Sequence, residues 1–252
     1  MEYFWTHRDN IPEGLGFGQF TLAHFAWASA MVLMVVAISV AYERSDYKKR
    51  VKMRRVIAAI LFVSEIIKII AVVRDGVPLL LYLPLEICSF ASYSIMLDSI
   101  FPENKFFPQM LVILFLPAAI MSIIFPTVTP LPAINFFTIH QFVFHGLIVA
   151  YVVARFASGE VAIDYPGVWK SILKICVVAG IMYLMDISFN MNYMFLTDTY
   201  DNPLLNVIWN LTGGGVPYTL GLVLFVIIVV HIFFFIFKGI MKLTRMEEKA
   251  LS

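Results

Sequence analysis

Seven long apolar stretches alternate with short polar ones along this 252-residue chain. They run roughly over 17–42, 56–73, 78–101, 107–125, 134–156, 168–188 and 216–237. Each is about 20 residues, the length an α-helix needs to cross ~30 Å of hydrocarbon. The pattern predicts an all-α fold, a polytopic membrane helical bundle of seven transmembrane helices. No linker, internal repeat or low-complexity stretch divides the chain, so residues 1–252 are expected to form a single transmembrane domain.

Composition agrees. Hydrophobic residues are 61% of the chain and charged residues 14%, against about half and a quarter in a soluble domain. A net charge of +1 with no basic surface outside the loops gives no sign of a nucleic-acid partner. Lysine and arginine set the expected orientation, because cytoplasmic loops carry their excess. Arg44, Lys48, Lys49, Arg50, Lys52, Arg54 and Arg55 follow the first apolar run. Lys105, Arg155, Lys170, Lys174 and a tail of Lys238, Lys242, Arg245 and Lys249 fall on the same side. Only Arg8 and Arg74 fall opposite. The N-terminus is predicted outside and the C-terminus in the cytoplasm. The opening residues have no basic run and no small-residue cleavage site, so they do not read as a cleaved signal peptide. The expected location is the cell membrane, as a multi-pass protein.

Ionisable residues inside apolar runs are costly, so each is a site candidate by default. His24 in the first run either bonds a neighbouring helix or lines a polar cavity. Glu65 in the second falls near the midplane with Lys68 at i+3, a spacing that permits an ion pair. The third run holds Pro84, Glu86 and Cys88. Read as one helix from 78 to 101, it is expected to kink at Pro84. Glu86, two residues from Cys88, then points some 200° away and orients another element rather than touching the thiol. Cys88 lies about ten residues from the outer end, ~15 Å deep. His145 in the fifth run, which travels in the same direction, has the same depth, with Gln141 one turn above it. His140 is expected nearer the surface on another face. A thiol and an imidazole at one depth are what nucleophilic acyl chemistry needs, since the thiolate is the nucleophile. The other cysteine, Cys176, reads as packing. Neither a metal motif nor a disulfide framework is visible, and no cofactor is implied.

The motifs LPLEIC (83–88), HQFVFHG (140–146) and NMNYMFL (190–196) followed by NP (202–203), with His24 and Glu65, resemble the YwaF-like bacterial membrane proteins and their animal relative, transmembrane protein 164. The likeness extends over nearly the whole chain. It implies an acyltransferase that moves fatty acyl chains between phospholipids through a cysteine and a histidine, here Cys88 and His145. The family pattern LPLHLC has histidine where this chain has Glu86. On that footing the expected function is an intramembrane phospholipid acyltransferase working through a cysteine thioester acyl-enzyme with a histidine general base. Its partners would be membrane phospholipid and lysophospholipid. Gln141, Asn192 and Tyr193 are candidate oxyanion donors; Glu65, Glu86 and His24 are candidate supporting or substrate-binding residues. Two alternatives stay open: a lipid ester hydrolase using the same pair, and a non-enzymatic lipid or small-molecule transporter or receptor.

Overall fold

A computed structural model describes residues 2–244. Arg245 and Lys249 of the basic tail lie outside the described residues. The elements are α1 (Leu22–Glu43), α2 (Tyr47–Arg74), α3 (Ile87–Ile100), α4 (Phe106–Ile124), α5 (Phe136–Ala157), α6 (Tyr165–Phe189), α7 (Pro203–Thr212) and α8 (Gly215–Thr244). No strand occurs among the described residues. Side chains start most of these helices at defined points. Thr21, Asp46, Asn135, Asp164 and Asn202 each accept a backbone N–H of the first turn, satisfying donors that the helix itself leaves orphaned.

Six of these helices (α1, α2, α4, α5, α6 and α8) are long and apolar enough to cross a membrane. The third expected span is not among them. Its continuous run breaks into a short 3-10 turn at Leu79–Tyr82, an extended segment through Pro84, and the 14-residue α3. Fourteen residues rise only ~21 Å, short of the hydrocarbon thickness. Proline is the physical reason: Pro84 has no N–H to donate and biases Leu83 away from the helical region. Hence the expected kink within a helix is instead a helix start. Pro117 in α4 acts more mildly. Its ring crowds the carbonyl four residues back, and the helix widens into a π turn over Leu111–Phe115.

Helix α5 is the axis of the bundle, with most of its length buried. Helix α1 packs along it at Gly146, where an added Cβ would sit 2.6 Å from Met31 Sδ; a small residue is what permits this approach. Helices α3 and α5 run parallel and touch at two levels, at Cys88–His145 and, ten residues further along each helix, at Asp98–Arg155. The lower level is a buried polar network. Asp98 accepts from Tyr151 and Arg155, Arg155 Nε donates to Glu160 at 3.2 Å, and Glu160 also meets Arg50 at 3.1 Å and Tyr42 at 2.7 Å. Asp98, Arg54 and Arg155 are all buried there.

Irregular chain lies at the opposite end. The N-terminal segment is latched to α2 by Asp75, which accepts His7 N–H at 2.5 Å and Asn10 Nδ2 at 3.0 Å. Asn135 holds the same segment through the Tyr3 and Thr6 carbonyls. Arg8 lies over the Tyr200 ring at 5.5 Å. In the segment between α6 and α7, Asn190, Met194, Phe195, Tyr200 and Asp201 all have positive φ, a costly concentration for residues with side chains. The turn into α8 uses three glycines, Gly213, Gly214 and Gly215, at φ of 81°, 82° and 58°, a conformation open to glycine at little steric cost.

Candidate active site

Because α3 starts at Ile87, Cys88 occupies its first turn. The first amide with an intrahelical acceptor is Phe90, which donates to the Glu86 carbonyl at 3.1 Å. The N–H groups of Ile87, Cys88 and Ser89 therefore point out of the helix start without acceptors in that helix. The Glu86 side chain does not cap them. Such an end carries partial positive charge and favours an anion beside it.

His145 Nε2 is 2.9 Å from Cys88 Sγ, and both groups are buried. The other ring nitrogen, Nδ1, is 2.6 Å from the Gln141 carbonyl. A carbonyl can only accept, so in the neutral ring the proton is on Nδ1 and the lone pair on Nε2 faces the thiol. One turn of α5 thereby fixes the tautomer a base needs. Ser122 Oγ, near the end of α4, is 3.9 Å from the same sulfur. Its carbonyl accepts Gln141 Nε2 at 3.2 Å.

The pair faces a cavity of about 530 Å³, within the roughly 300–1,000 Å³ typical of ligand pockets. At one end its walls are polar: Glu65, Lys68, Glu86, Ser89, His140 and Asn192. Lys68 Nζ is 2.6 Å from Glu65 Oε2, and Ser89 Oγ donates to Glu65 Oε1 at 3.2 Å. The i, i+3 pair inside α2 thus also holds the start of α3. Toward α6 and α8 the walls become aliphatic.

The remaining sequence candidates divide. Glu86 stands before the helix, so the 200° argument does not apply to it. It lines the cavity, and its Oε2 accepts the Met194 N–H at 2.8 Å. His24 is outside the cavity: Nε2 meets the Ile123 carbonyl at 2.9 Å and Nδ1 accepts the Phe20 N–H at 3.0 Å. It ties α1 to the end of α4. The three side chains considered as oxyanion donors are all engaged elsewhere. Gln141 is spent on Ser122, Tyr193 OH donates to the Leu80 carbonyl while accepting the Leu83 N–H, and Asn192 organises residues 197 and 198.

Two residues were missed. His140, expected near the surface on another face, lines the cavity; its ring stacks on Phe144 at 5.1 Å and its Nε2 is buried without a hydrogen-bond partner. Cys176, expected to pack away from the site, lines the cavity's apolar part. The i, i+4 spacing of His140 with Phe144 was available in the sequence. The position of Cys176 was not, because it depends on how α6 meets α8.

Six long apolar helices define a multi-pass membrane protein, here with a thiol–imidazole pair inside the bundle. The chain matches the TMEM164 family over residues 19–237 and belongs to that family. No curated protein and no solved structure matches it.

Proposed function

We propose that this protein is an intramembrane acyltransferase acting on phospholipids in the cell membrane, with Cys88 as nucleophile and His145 as general base, in keeping with its likeness to the YwaF-like proteins. The observation that carries this reading is the 2.9 Å contact between Cys88 Sγ and the unprotonated Nε2 of His145 beside the cavity. In the first step His145 takes the thiol proton as sulfur attacks the ester carbonyl carbon of a phospholipid. The amides at the start of α3 stabilise the oxyanion of the tetrahedral intermediate. The ester C–O bond breaks, the His145 proton goes to the departing alkoxide, and a lysophospholipid leaves a thioester on Cys88. In the second step His145 deprotonates the hydroxyl of an acceptor lysophospholipid, which attacks the thioester. The C–S bond breaks, the acyl group leaves as the ester of the acceptor, and the His145 proton returns to the sulfur. Splitting one difficult transfer into two is the advantage of the covalent route.

The orientation belongs to the same proposal: the end bearing the Asp98–Arg155 network faces the cytoplasm, the cavity mouth faces outward, and α3 with the extended segment before it serves as a seventh crossing. Lysine and arginine bias supports this. The test of function is intact-mass analysis of purified protein with defined phospholipids. An acyl adduct on Cys88 that discharges to added lysophospholipid is expected. Discharge to water alone would make the protein a hydrolase, and no adduct under any condition would favour a carrier or receptor.

A further inference from the structure

The cavity continues beyond the thiol. From Ser122 it passes Ala118 and Leu114, each one turn further down the same face of α4. Across from them, Val226 and Val230 on α8 have the same four-residue spacing, as do Ile172 and Cys176 on α6. Residues at this spacing on three helices line the cavity over successive turns along the helix axes. From Ser122 to Leu114 it extends ~12 Å. The polar groups of the cavity, Glu65, Lys68 and Asn192, belong to its other end. The arm's walls are hydrocarbon and one thiol, so it offers a headgroup no hydrogen bond, and desolvating one there would be costly.

We propose that this arm binds the single fatty acyl chain undergoing transfer, with the ester carbonyl at Cys88 and the methyl end toward Cys176, and that its depth selects chain length. The inference rests on the acyl-transfer reading above. An apolar arm that begins beside the nucleophile suits one acyl chain, whose ester carbonyl would lie at Cys88 and His145. Ala118 sits midway, where a larger side chain would shorten the arm.

The test uses full-length protein solubilised in digitonin, which has no alkyl chain to occupy the arm. The probes are p-nitrophenyl palmitate and p-nitrophenyl octanoate, with Cys88 acylation read by intact mass. In Ala118→Phe the palmitoyl-to-octanoyl rate ratio is expected to fall more than about tenfold, because several methylenes lose their apolar site. An unchanged ratio would overturn the proposal, even if both rates drop. If neither ester acylates the native protein, the acyl-transfer reading fails, and a second measurement judges the arm separately. In Cys88→Ala, palmitate is expected to slow N-ethylmaleimide modification of Cys176 several-fold while equimolar octanoate does not. Equal protection by both acids, or none by either, would exclude a length-selective arm. The Cys176 measurement also decides the matter if Ala118→Phe does not fold.

Discussion

If Cys88 and His145 act as one unit, removing either should cost almost as much as removing both. The geometry sets the scale. Nε2 is within hydrogen-bond reach of the sulfur and Nδ1 is fixed by Gln141, so His145→Ala removes a positioned base, an effect typically worth about 10²–10⁴ in rate. That factor corresponds to roughly 3–5 kcal/mol of barrier. Cys88→Ala removes the nucleophile and should lower transfer to background. Independent contributions would multiply in the double variant; a joint role predicts that Cys88→Ala/His145→Ala loses little beyond Cys88→Ala alone. The assay follows a fluorescent acyl chain moving from phospholipid to lysophospholipid, with thermal unfolding as a control. Truncating this buried ring should destabilise by about 1–3 kcal/mol, far from enough to explain lost activity in a protein that remains folded. Added imidazole should restore part of the His145→Ala rate but none of the Cys88→Ala rate. Full transfer by Cys88→Ala, or a His145→Ala rate within about twofold of native, would refute the reasoning.

At the other end, Arg155→Met should destabilise the fold by roughly 3–5 kcal/mol, because it leaves buried Asp98 uncompensated; Asp98→Leu/Arg155→Met should recover most of that loss. Denaturation of the single and double variants checks this. Since the same pair fixes the register of α3 against α5, Arg155→Met should also slow Cys88 acylation while chemical rescue by imidazole stays absent. Burial holds His7 below its ordinary value, against the opposing pull of Asp9 and Asp75 and with Arg8 adding to the lowering. A lowered histidine means that the loosened state binds more protons, so the N-terminal latch should weaken as pH falls through about 6.5, the unfolded value. Proteolysis of residues 2–21 across that range should accelerate on acidification, and a flat profile would contradict it. Finally, Lys48→Cys in a Cys88→Ala/Cys176→Ala background should react with an impermeant maleimide only after cells are permeabilised. Labelling of intact cells would reverse the proposed orientation.

Local physics made part of this protein legible in its sequence. Twenty-residue apolar runs have few outcomes other than membrane helices, because an unpaired backbone is intolerable in hydrocarbon. That reasoning found the six long helices, the ion pair spaced i, i+3 in α2, and a thiol and imidazole at matching positions in two runs. Depth is nearly one-dimensional along a straight helix, so it can be counted. The start of α3 was also written in the sequence, in Pro84, but a proline-interrupted membrane run can kink or stop, and hydropathy does not distinguish the two. The stop is what gives Cys88 the orphan amides of Ile87, Cys88 and Ser89 and frees Glu86 to reach Met194.

Only the tertiary structure decided which faces meet. Rotation about a helix axis and the register between helices are set by non-local packing, here the Gly146 approach of α1, the Glu65–Ser89 bond and the Asp98–Arg155 contact. These turned two residues of equal depth into a pair in contact. They committed Gln141, Asn192 and Tyr193 to other partners and withdrew His24 to a helix tie. They also drew His140 and Cys176 into the cavity. A residue's depth is a property of its own helix; its neighbour belongs to the bundle, which is why the chemistry could be suspected from the chain but its geometry could not.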